Sequence, residues 1–217
     1  MTVSNLQAVI WDFGGVLTSS PFEAFNRYEA SKGLPNDFIR GINAINGDTN
    51  AWAQFERNDI DAAQFDSLFR AEALAQGGDV PGADVLALLA GSIRQPVVAA
   101  LKTCKSSVKV GCITNNVKTG KGAGMTRDPE KAKEVAEIMH LFDHVIESSK
   151  VGLRKPDPRI YALMCEALDV EPKACIYIDD LGINLKPARA MGMTTIKALS
   201  EEQILHDLAE ASGFAFD

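Results

Sequence analysis

Five short runs of apolar, largely β-branched residues punctuate the chain: AVIWD (8–12), VKVGCIT (108–114), HVIES (144–148), ACIYID (174–179) and TTIKA (194–198). Their near-continuous apolar character, without strict alternation, is the pattern of parallel strands covered on both faces. Between the later runs, apolar positions recur at helical spacing. Asp128-Pro129 predicts an N-cap and first turn, with Val135, Ile138 and Met139 on one face. Asp157-Pro158 predicts the same for a helix carrying Ile160, Leu163, Met164, Ala167 and Leu168. Ser200-x-x-Gln203 opens a last helix that Gly213 stops. Strands alternating with helices predict an α/β fold, a doubly wound Rossmann-like parallel sheet with right-handed crossovers.

The first crossover breaks this rhythm. About 95 residues separate the first two runs, where a crossover needs only about a dozen. The surplus, residues 18–95, has helical character. Within it, IDAAQFDSLFRAEAL places Phe65, Leu68 and Phe69 on one stripe behind Asp61 as cap. The expectation is a helical cap inserted at 18–95 into a core made of 1–17 and 96–217. Trp52, Phe55, Phe65 and Phe69 are then the core of that insert and not a substrate pocket. KTGKGAGMTRD (118–128) is polar and glycine-rich but lacks P-loop spacing, so it reads as a connector.

Composition narrows the partners. A net charge of −7 over 217 residues lacks the basic footprint that a nucleic-acid partner requires. Cys104, Cys112, Cys165 and Cys175 form no CxxC pair and have no histidine at ligand spacing, which reads as reduced thiols. MTVSNLQAV has no basic region before its apolar stretch, as a signal peptide would. The most apolar long window, 85–101, is interrupted by Arg94, Gln95 and Pro96 and cannot span a bilayer. A soluble, cytoplasmic protein is expected, with its oligomeric state open. His140, His144 and His206 read as surface or structural residues.

In an open α/β sheet, ligands bind beyond the carboxyl ends of the strands. Four groups fall there: Asp12, Thr114-Asn115-Asn116, Lys155-Pro156 and Asp179-Asp180. Singly, each is ordinary turn or surface chemistry. Together they are complementary. Converging carboxylates repel unless a cation neutralises them, and an all-oxygen set points to Mg²⁺. Lys155 adds positive charge for a phosphate, and Thr114 with its following amides can hold phosphate oxygens. Asp12 is then available as a nucleophile that takes up the phosphoryl group.

The ordered set WDFGGVL, CITNN, GLRKPDPRIY and IYIDDLGINLKPARAMGM resembles the haloacid dehalogenase-like hydrolases. The likeness is greatest to the phosphatase-type N-terminal domains of soluble epoxide hydrolases and of acyl-CoA dehydrogenase family member 10. The resemblance is expected to cover the phosphatase-type domain only, without the epoxide hydrolase or dehydrogenase domains. The resemblance implies a sheet of order 5-4-1-2-3 with a helical cap after the first motif. It further implies Asp12 as nucleophile and Mg²⁺ ligand, the Gly14 carbonyl and Asp180 as further ligands, and Asp179 acting through water. Thr114 and Asn115 would bind phosphate, Lys155 would neutralise nucleophile and phosphate, and Asn184 would support the loop. One position departs: family phosphatases usually carry an acid/base Asp where this chain has Gly14. Losing general acid–base assistance costs about 10² to 10⁴ in rate. The expected function is a Mg²⁺-dependent phosphatase for a small phosphorylated metabolite. The alternatives are a 2-haloacid dehalogenase, whose halide leaves without a proton, and a non-catalytic protein that binds phosphate or a partner.

Overall fold

A computed structural model describes residues 3, 5–89, 91–117 and 129–216. Strands β1 (Ala8–Trp11), β2 (Lys109–Thr114), β3 (His144–Glu147), β4 (Cys175–Asp179) and β5 (Thr194–Lys197) form one parallel sheet, ordered β3-β2-β1-β4-β5. This is the expected 5-4-1-2-3 order, numbered from the opposite edge. β1 and β4 are buried throughout and β2 nearly so, whereas the edge strands β3 and β5 are only partly covered. Unbroken apolar runs thus mark the strands enclosed on both faces.

The pleat sends alternate residues of β1 to opposite layers. Val9 and Trp11 join one core cluster and Ala8 and Ile10 the other. The first layer contains α6 (Gln95–Lys105), α7 (Pro129–Met139) and α11 (Glu201–Ser212). The second contains α9 (Pro158–Leu168) and α10 (Gly182–Ala190). A one-turn helix, α8 (Ser148–Val151), follows β3 directly.

Helices α1 (Phe22–Ser31), α2 (Phe38–Ala44), α3 (Ala51–Glu56), α4 (Ala62–Ala75) and α5 (Gly82–Ala87) occupy the long first crossover. They enclose a separate apolar cluster that includes Phe25, Ile39, Phe55, Phe65, Phe69 and Val85. Phe65 stacks on Phe55 at 4.7 Å and meets Phe69 at 5.4 Å. Asp61 and Gln64 form a reciprocal capping box at the start of α4. Main-chain bonds from Ser19 to Ser92 and from Arg94 to Leu17 hold the two ends of this segment together.

The helix starts expected at Asp157 and Ser200 are present, each side chain accepting a backbone amide, and Gly213 ends α11 in the left-handed region. Asp128 and the 118–128 stretch lie outside the described residues. The expected apolar stripes need three corrections. Leu68 is 42% exposed, because on α4 the buried stripe runs through Phe65, Phe69 and Ala73. On α9, Ala167 is exposed and Tyr161 and Cys165 are buried instead, since that helix buries a face rotated towards Tyr161. Trp52 is only half-buried and packs both on Phe65 and against the cavity described next.

Candidate active site

The register of the central strands brings the chemistry together. Trp11 pairs with Cys112 on one side and Ile178 on the other, so the carboxyl ends of β1, β2 and β4 lie side by side. Asp12 follows β1, Thr114 ends β2, and Asp179 and Asp180 follow from β4. Lys155 reaches in from the loop before α9. Its ammonium lies 2.8 Å from Asp12 Oδ2 and 2.8 Å from Asp179 Oδ2, and the residue is 1% exposed. Asp12, Asp179 and Asp180 each offer a carboxylate oxygen, all within 4.8 Å of one another.

The two neighbouring aspartates differ in what they can still do. Asp179 is saturated: its oxygens accept from Lys155, from the Tyr177 hydroxyl at 2.5 Å, from the Leu181 amide at 2.8 Å and from Asn184 at 3.0 and 3.1 Å. It fixes the lysine and the start of α10. Asp180 is half-buried and borders the cavity. Asp12 accepts the Phe13 amide at 2.7 Å on Oδ1 and Lys155 on Oδ2, which orients the carboxylate. Asn184 supports from below, its carbonyl in turn accepting the Tyr161 hydroxyl.

The electrostatics reveal a charge deficit. Burial, and after it the repulsion of Asp179 and Asp180, raises the Asp12 carboxyl well above its usual range despite Lys155. Burial and Asp179 push Asp180 up to about 6. Burial would lower Lys155, but Asp12 and Asp179 together hold it above its ordinary value. Even with Arg94 easing Asp180, three carboxylates beside the Lys155 ammonium leave negative charge that a hard cation would neutralise. Among the described residues, Asp12, Asp179 and Asp180 are one of two acidic groups placed closely enough to hold a metal ion, and of these three Asp12 and Asp180 border the cavity.

The second motif divides. Thr114 is buried at the cavity wall. Asn115 pins Lys155 from both sides, accepting its amide at 2.8 Å and donating to its carbonyl at 3.0 Å. Asn116 turns away to bond Glu147, Ser148 and Ser149, so its role is to tie the loop to α8. Burial pushes the Cys104 thiol up to about 12 and Cys112 higher still, so neither is a nucleophile at neutral pH.

A cavity of about 700 Å³ opens over these groups, lined also by Phe22, Phe25, Trp52 and Leu89 from the long crossover. Arg40 and Asn43 of α2 line it too, and the buried Arg40 Nε and Asn43 Oδ1 have no hydrogen-bond partner. Glu56 and Arg154 face each other in the wall, with Arg154 Nε 2.6 Å from Glu56 Oε2. None of these four residues belongs to the strand-end groups that the sequence pattern marks. Their meeting depends on how the helices dock, and no local spacing encodes it.

The DFGG, TNN, RKP and DD stretches thus converge on one sheet edge, and a model of the haloacid dehalogenase-like hydrolase family matches residues 6–192. The chain belongs to that family. This haloacid dehalogenase-like hydrolase is 32% identical over 222 residues to bifunctional epoxide hydrolase 2 of Mus musculus, covering 97% of the chain and 40% of that protein. It is also 32% identical over 221 residues to acyl-CoA dehydrogenase family member 10 of Mus musculus, covering 97% of the chain and 19% of that protein. The chain thus spans two-fifths or less of these relatives. A phosphatase of Mycobacterium tuberculosis is 33% identical over 89 residues, 41% of this chain and 38% of its own. A family enzyme of Bacteroides thetaiotaomicron, solved with magnesium and inorganic phosphate, matches with a TM-score of 0.58 at 20% identity, over 88% of this chain and 93% of that one. At that identity the likeness establishes the fold. Among the described residues, no helix is long and apolar enough to cross a membrane.

Proposed function

We propose that this hydrolase is a Mg²⁺-dependent phosphatase acting on a small phosphorylated metabolite. The carrying observation is Lys155, buried and bonded to both Asp12 and Asp179 beside a third carboxylate. Such an arrangement is short of positive charge and suited to a metal–phosphate pair. Asp12, the Gly14 carbonyl and Asp180 would hold Mg²⁺, which when bound offsets negative charge on the transferring phosphoryl group. Thr114 and Asn115 receive the phosphate and Lys155 neutralises it.

In the reaction, an Asp12 oxygen attacks phosphorus and the bond to the leaving oxygen breaks, that oxygen keeping the electron pair. Water then cleaves the aspartyl-phosphate, releasing phosphate and restoring Asp12. Gly14 has no side chain to give the leaving oxygen a proton. The best substrates therefore have leaving groups stable as anions, such as acyl or aryl phosphates. The segment 18–95 serves as a cap whose aromatic wall and unpartnered Arg40 and Asn43 atoms receive the rest of the substrate. Four buried, unpaired thiols suit a reducing compartment such as the cytoplasm.

Gly14 favours one rival, the 2-haloacid dehalogenase, because halide leaves unprotonated. That substrate, however, is itself a carboxylate and would face the cluster of Asp12, Asp179 and Asp180. A panel of acyl, aryl and alkyl phosphates with Mg²⁺, beside 2-chloropropionate with chelator, separates the two. Phosphate release lost in Asp12→Asn supports the phosphatase. Chelator-insensitive halide release replaces it with the dehalogenase, and tight phosphate binding with no turnover leaves the binding protein.

A further inference from the structure

We infer that Glu56 is a positioning residue for the phosphate loop, and that Arg154 keeps its charge compatible with an anionic substrate. The inference rests on the reading above that Thr114, Asn115 and Lys155 receive phosphate. Glu56 is the last residue of α3 and is 6% exposed. Its Oε2 accepts Arg154 Nε at 2.6 Å and Asn115 Nδ2 at 3.3 Å. Asn115 in turn brackets the Lys155 backbone, and Lys155 holds Asp12 and Asp179. An unbroken chain of contacts therefore runs from a helix of the long crossover to the nucleophile. Arg154 adds a second tie, donating from Nη1 to the Gly47 carbonyl at 2.9 Å in the connection between α2 and α3. Both Glu56 and Arg154 lie in the cavity wall.

The charges make this arrangement conditional. A carboxylate in the wall of a phosphate pocket repels the ligand unless it is matched, and Arg154 matches it. Removing one member of a largely buried pair, here with Arg154 partly exposed, leaves an uncompensated charge. Removing Arg154 alone should therefore harm phosphate binding more than neutralising both residues. A merely structural bridge would not give this order, since two deletions would then harm at least as much as one.

The test measures inorganic phosphate binding calorimetrically in Mg²⁺ for wild type, Glu56→Gln, Arg154→Met and the double variant. Backbone amide exchange at Lys155 is followed in wild type, Glu56→Ala and Glu56→Gln, and circular dichroism checks folding. Expected are a tenfold or greater loss of affinity in Arg154→Met and recovery to within threefold of wild type in the double variant. Lys155 amide exchange should be at least tenfold faster in Glu56→Ala and largely restored in Glu56→Gln, whose side-chain oxygen still accepts from Asn115. A double variant as weak as Arg154→Met overturns the inference, because Arg154 would then bind phosphate itself. Unchanged affinity in Arg154→Met, or unchanged exchange in Glu56→Ala, also overturns it. If wild type binds no phosphate, the phosphatase reading fails, while the exchange measurement still decides whether Glu56 positions the Lys155 loop.

Discussion

At the residue scale, two adjacent glycines carry opposite demands. A Cβ at Gly14 would meet no atom within 4 Å, whereas one at Gly15 would lie 2.2 Å from Asp180 Oδ2, with φ at +77°. Gly15 is therefore required by backbone and by space, and Gly14 by neither. Gly14→Asp should fold normally and raise kcat on alkyl phosphates by about 10²-fold or more, with a smaller gain on aryl phosphates that need little proton assistance. Steady-state kinetics on both classes check this, and a fall on alkyl phosphates would refute it. Gly15→Ala should displace Asp180 and remove Mg²⁺-dependent turnover. From sequence the two positions are indistinguishable, because the group that excludes a side chain at Gly15 arrives from far along the chain. The same limit applies to Asp179 and Asp180. Their pairing was legible, but the saturation of Asp179 by Tyr177, Asn184 and Leu181 needed the folded β4–α10 turn.

At the scale of elements, the strands were the most legible features, since burial on both faces leaves an unbroken apolar run. Each observed strand falls within its expected run and ends within one residue of it. Caps were nearly as clear, because Asp61, Asp157 and Ser200 act on amides two or three residues away. Helix faces were less clear. Leu68 satisfies helical spacing with Phe65 as well as Phe69 does, and only the direction from which α3 and α5 approach α4 decides which is buried. The pair supplies a direct comparison. Phe65→Ala removes a fully buried ring packed on Phe55, Trp52 and Phe69, and should cost about 3–5 kcal/mol in denaturant unfolding. Leu68→Ala at the exposed position should change stability by about 0.5 kcal/mol or less. Equal costs would mean that α4 docks on another face.

For the molecule as a whole, burial and mutual repulsion at the strand ends, which raise Asp12 and Asp180, oppose folding. Asp12 and Asp179 are buried beside half-buried Asp180, with Lys155 bonded to the first two and the charge of Arg94 easing the third. The fold holds these charges at the junction of three strands, so their repulsion bears on the most connected part of the sheet. A cation bound to the folded chain and not to the unfolded one stabilises it by RT ln(1 + [L]/Kd), about 2.7 kcal/mol at a hundred times Kd. Thermal unfolding should therefore move to higher temperature with Mg²⁺ and return with chelator. Asp180→Asn would remove a proposed ligand and part of the repulsion together. Without metal, that variant should be at least as stable as wild type, and its gain from Mg²⁺ should fall by half or more. A wild type indifferent to Mg²⁺, or an Asp180→Asn variant that keeps the full gain, would place the metal elsewhere and remove the electrostatic basis for the phosphatase reading.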